Sequence, residues 1–85
     1  MSAIHVRFAR PCDAEAAFAE LGAHGLRRRP RLQHTEIEVD CRLGEEDEVM
    51  DEVALALDDW LEERHLPFTP DRVDGHTLVI RPPAD

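Results

Sequence analysis

The sequence predicts an α+β domain with the element order βαββαβ. Two observations carry most of that expectation. Residues 36–43 alternate strictly between acidic or basic and apolar side chains, which is the period of a half-buried strand. Residues 49–61 carry apolar side chains at helical spacing, which is the stripe of an amphipathic helix. A third observation closes the pattern. The Asp74-Gly75 dipeptide and Pro82-Pro83 bracket a β-branched run at the end of the chain.

The elements follow in order. Ile4-His5-Val6-Arg7-Phe8-Ala9 alternates and predicts the first strand. Pro11-Cys12-Asp13 opens a helix, with proline near the first turn and Asp13 as its expected cap. Ala14, Ala17, Phe18 and Leu21 fall on one face of this helix, and Gly22 and Gly25 bracket its end. The run Leu26-Arg27-Arg28-Arg29-Pro30-Arg31-Leu32 predicts the second strand. Ile37, Val39, Cys41 and Leu43 form the apolar side of the third, after a turn at Gln33-His34. Gly44 precedes a second helix with Glu45, Glu46, Asp47 and Glu48 in its first turn, where the macrodipole favours negative charge. Its stripe is Val49, Met50, Val53, Ala56, Leu57, Trp60 and Leu61. His76–Arg81 predicts the last strand, and the turn before it leaves room for a short strand over 71–73.

Right-handed crossovers build this order into an antiparallel sheet whose four predicted strands lie in the spatial order 4-1-3-2, with both helices on one face. That is the ferredoxin-like plait. Pro30 cannot donate to a strand ladder, which predicts that its strand is an edge. The 85 residues predict one domain, 1–85, with a modest core, since a chain of this size buries only roughly 60% of its unfolded surface.

Composition bounds the function. The formal charge is −9, all ten basic residues are arginine, and lysine, asparagine and tyrosine are absent. These absences fit a GC-rich genome, as in a high-GC bacterium. The acidic balance argues against nucleic acid and anionic surfaces as partners. No apolar run approaches the ~18 residues of a membrane span, and no secretory signal is visible, so a cytoplasmic protein with reduced Cys12 and Cys41 is expected.

Four arginines within residues 27–31 stand out in this acidic chain. With Gln33-His34 as the turn, Arg31 faces Glu36, Arg29 faces Glu38 and Arg27 faces Asp40 on the open side of the sheet. Such a ladder neutralises the protein's own carboxylates, while Arg28 and the strand edge stay available to an acidic partner.

The plait is also the fold of RNA-recognition motifs, which read bases with aromatics on the central strands. Here those positions hold His5, Arg7, Glu36, Glu38 and Asp40, and carboxylates repel phosphate. Heavy-metal-associated plait domains carry Cys-x-x-Cys after the first strand, where this chain has Cys12 alone. In the expected topology Cys12, His34, His65 and His76 lie towards one end of the sheet, and Cys12 with His76 is the pair to examine for a metal, small ligand or activated thiol. No cofactor motif is present, and the four glycines form no phosphate-binding loop.

The reading with the fewest chemical demands is a non-catalytic protein-interaction module that binds a protein partner or pairs with itself as a homodimer. Its expected contact residues are Arg27, Arg28, Arg29 and Arg31 on the basic strand. On the acidic helix face they are Asp58, Asp59 and Glu62 around Leu55. The alternative is metal or small-ligand binding at the Cys12/His76 end.

Overall fold

The computed structural model describes residues 2–26 and 28–82. Its elements are β1 (Ser2–Arg7), α1 (Pro11–Ala23), β2 (Pro30–Gln33), β3 (Glu36–Cys41), α2 (Glu46–Glu63), β4 (Thr69–Asp74) and β5 (Thr77–Arg81). The fold is α+β, with two helices and one five-stranded sheet in the order β2-β3-β1-β5-β4.

This corrects the expected four-stranded antiparallel plait. Thr69–Asp74 is a full strand on the outer edge, antiparallel to β5. β5 in turn runs parallel to β1, with His5 opposite Thr77 and Arg7 opposite Val79. The reason is chain direction. The turn at Gly75-His76 reverses the chain once more before it reaches β1, so the last strand arrives in the opposite sense. That turn is built locally: the His76 N–H donates to Asp74 Oδ1 at 2.7 Å, an Asx-type bond that holds the reversal closed. The remaining pairs, β1 with β3 and β2 with β3, are antiparallel.

One face of the sheet carries the core. Ile4, Val6, Ile37, Val39, Cys41, Leu78 and Ile80 alternate inward and pack in a single cluster with Ala14, Ala17 and Leu21 of α1 and Val49, Met50, Val53, Leu57 and Trp60 of α2. Both helices therefore cover the same face. Each large apolar side chain buried this way contributes about 1.5–3 kcal/mol. An exposed ion pair contributes about 0–1 kcal/mol, so the fold rests on this cluster and not on the many surface charges.

Helix α1 starts at Pro11, whose missing N–H falls where no helical acceptor exists. Arg10, not Asp13, occupies the N-cap, and no side chain caps it. Asp13 instead accepts from Arg10 at 3.0 and 3.3 Å. Gly25, at φ +64, follows the C-cap His24 and lets the chain turn away in a left-handed conformation.

Several strand boundaries differ from expectation: β1 spans Ser2–Arg7 instead of 4–9, and β2 begins at Pro30 instead of Leu26. β3 ends at Cys41, and Leu43, expected in the core, is 81% exposed. The chain must turn at Gly44, φ +90, to enter α2, and this breaks the alternation two residues early. The β2–β3 turn is His34-Thr35 instead of Gln33-His34, so Gln33 pairs with Glu36 and Arg31 with Glu38. The shift is an even number of residues, so each side chain keeps its face while changing its partner. Pro30 begins β2, an edge strand, where its lack of a donor costs no inner ladder bond.

Candidate interaction surfaces

The sheet face opposite the helices is a mosaic of alternating charge. Arg31 of β2 lies between Glu38 and Asp40 of β3; its Nη2 contacts Glu38 and donates to Asp40 Oδ1 at 2.9 Å. Arg7 Nε of β1 donates to Glu36 Oε1 at 3.0 Å. His5 Nδ1 sits 3.5 Å from Glu36 and 3.6 Å from Glu38. Towards the other edge of the same face Arg81 pairs with Asp71 at 3.0 Å. Positive and negative side chains thus compensate each other from strand to strand. Among the described residues no aromatic side chain lies on this face, because Phe8 joins the core cluster.

The arginine run divides. Arg27 lies outside the described residues. Arg28, expected to be available, is half-buried, and its Nη2 donates to Glu45 Oε1 at 2.8 Å. Glu45 is the N-cap residue of α2 and also accepts from the Arg42 N–H at 3.0 Å. The Arg42 amide and the Arg28 guanidinium together hold the Glu45 carboxyl below its ordinary range. Arg28 is therefore a tie between the α1–β2 loop and the start of α2. Arg29, expected to face Glu38, lies before β2 begins; it is exposed and has no ion pair among the described residues.

The acidic helix surface is more open. Leu55 is 64% exposed and borders a shallow groove lined by His24, Gly25, Leu26, Glu52, Ala56 and Asp59. Asp58, Asp59 and Glu62 stand three, four and seven residues after Leu55, which places them around it on the helix surface. None of these three carboxylates forms an ion pair among the described residues. Farther along the helix Asp51 is engaged by Arg72 of β4 at 2.8 Å. The structure adds two groups that sequence reasoning passed over. His24 and Leu26 reach the groove because Gly25 swings the chain back beside α2. The Gly25 signal marked the helix end but not where the next residue would land.

The Cys12/His76 pair does not assemble. Cys12 is exposed in the first turn of α1, 4.0 Å from Asp13 Oδ1, and donates to no histidine among the described residues. The His76 carbonyl accepts from the His5 N–H at 2.7 Å. Parallel pairing sets the start of β5 beside His5, whereas β1 leads out of its opposite end towards Cys12. The antiparallel expectation had put both residues at one end. His34 sits in the β2–β3 turn and His65 follows α2. Among the described residues no group of three or more His, Cys, Asp or Glu side chains is arranged to hold a metal ion. Cys41 is buried in the core, and that burial pushes its thiol pKa up. No described helix is long and apolar enough to cross a membrane.

The chain matches no family model, no curated protein and no solved structure. Its surfaces therefore carry the functional reading. Among the described residues, Arg28 and Arg31 of the expected basic surface are taken up by internal pairs, and the acidic surface keeps three carboxylates without an ion pair around an exposed leucine.

Proposed function

We propose that this protein is a small non-catalytic interaction module that docks a partner segment bearing both basic and apolar side chains on the outer face of α2. The reading is supported chiefly by one observation: Leu55 is exposed beside a groove with apolar walls, Leu26 and Ala56, while Asp58, Asp59 and Glu62 around it form no ion pair among the described residues. Leu55 would supply the desolvated centre of the contact, and the carboxylates would steer the partner and fix its register. Among the described residues of the basic run Arg29 is left to contribute, because Arg28 and Arg31 are committed to Glu45, Glu38 and Asp40.

This favours a different chain as the partner. A twofold homodimer through α2 would set Asp58 and Asp59 against their own copies, and like charges repel. A homodimer would have to be head-to-tail, α2 of one copy against Arg29 of the next. A cytoplasmic setting fits two cysteines that form no disulfide.

The test is a titration with a designed amphipathic Leu/Lys peptide, followed by amide chemical shifts. Shifts should cluster at residues 24–26 and 52–62, weaken with salt, and vanish in Leu55→Asp with an unchanged melting temperature. Replacing Arg29 with Glu should alter association without altering stability. Shifts on another surface, or binding indifferent to Leu55→Asp, would refute the proposal.

A further inference from the structure

The seam between α1 and α2 has a second opening at its other end. A cleft of about 280 Å³ is lined by Asp13, Ala16, Trp60, Arg64, Leu66 and Phe68. Its apolar side is formed by the core residue Trp60 together with half-buried Leu66 and Phe68. Its rim is polar and carries one charge of each sign, Asp13 and Arg64. Asp13 is already neutralised by Arg10 at 3.0 Å, and the pair holds the Arg10 guanidinium more firmly protonated. Arg64, the C-cap residue of α2, is exposed and has no ion pair among the described residues. In a chain of net charge −9 that combination is unusual: a free guanidinium beside an aromatic and aliphatic wall.

The geometry points to a binding site for a small carboxylic acid with an apolar, preferably aromatic, body. Guanidinium and carboxylate match as a bidentate, charge-assisted pair. Trp60, Leu66 and Phe68 offer the apolar body a place out of water. The volume sits just under the usual range for small-molecule sites, about 300–1,000 Å³. It suits an acid about the size of one ring with a short tail. The site is separate from the Leu55 face and does not depend on it.

The protein carries its own reporter, since Trp60 is its single tryptophan. The experiment is a fluorescence titration with 3-phenylpropanoate and, in parallel, with the neutral 3-phenylpropanamide. The acid should give a saturable change in Trp60 emission, with affinity about tenfold above that of the amide, the effect of one charge-assisted contact. Arg64→Gln should lower the affinity for the acid to that of the amide and leave the amide unchanged, with the melting temperature held. Absence of saturation up to about 10 mM, tenfold weaker than millimolar binding, would overturn the assignment. So would equal affinities of acid and amide in the unmodified protein, a comparison that requires no variant to fold, or an Arg64→Gln variant that binds the acid as the parent does.

Discussion

Arg28 Nη2 lies 2.8 Å from Glu45 Oε1, across seventeen residues of sequence, and joins the α1–β2 loop to the N-terminus of α2. Glu45 receives the Arg42 amide at the same oxygen, so one carboxylate closes the β3–α2 turn and ties it to the α1–β2 loop. A side chain that reads from sequence as a free surface cation is thereby a structural brace.

Replacing Glu45 with Gln should destabilise the protein at neutral pH, and the deficit should shrink in acid. The sign follows from linkage. The folded-state pKa of Glu45 is lowered from 4.5, so its contribution is complete above that value and is lost as pH falls through the lower folded value. Urea denaturation of parent and variant at neutral pH and at about pH 3 checks this. A deficit of equal size at both would assign the effect to packing and not to charge. A double-mutant cycle with Arg28→Ala should give non-additive losses.

Asp74 closes the hairpin that gives β5 its direction. Its carboxyl is held low, first by the His76 N–H and then by contacts with Thr77. Asp74→Ala should therefore loosen β4 and β5, seen as faster amide exchange over 69–81, while Asp74→Asn, which keeps an acceptor, should largely preserve protection. The aspartate contribution is present above its ordinary value of 3.8 and is lost as pH drops through the lowered one. Protection in the parent, relative to the intrinsic exchange rate at each pH, should fall in the same acid window.

Leu57 and Leu43 should behave as opposites. Leu57 is fully buried between the helices and the sheet, so Leu57→Ala should cost about 2–5 kcal/mol. Leu43 is exposed in the turn before α2, so Leu43→Ser should change stability by less than about 0.5 kcal/mol. Chemical denaturation distinguishes them directly. A large loss at Leu43 would mean that β3 continues beyond Cys41.

The two thiols should differ in reactivity. Cys12 is exposed, and Cys41 is buried with its thiol pKa raised. A disulfide reagent should modify one thiol per chain in the native protein and the second only after unfolding. Simultaneous native modification of both would contradict the packing of Cys41 against the helices.

Local periodicity settled the elements. Alternation in residues 36–43, the apolar stripe of 49–61, Pro11 and Gly25 each act within a few residues, and the strand and helices they indicate are present, with β3 ending at Cys41. Pro30 even located an edge of the sheet, because a missing N–H is a local property with one permitted place. The candidate site was legible to the same extent. Leu55, Asp58, Asp59 and Glu62 share one helix surface by spacing alone, whereas His24 and Leu26 joined them only through the turn at Gly25.

Only the tertiary structure decided strand direction, register and the fate of each arginine. One additional edge strand turns β5 from antiparallel to parallel and separates Cys12 from His76. A turn displaced to His34-Thr35 gives Arg31 to Glu38 and Asp40, and the packing of α2 gives Arg28 to Glu45. These outcomes depend on which segments meet in space. Side-chain period records which face a residue prefers, and it is blind to the direction in which the chain arrives and to the partner it finds there.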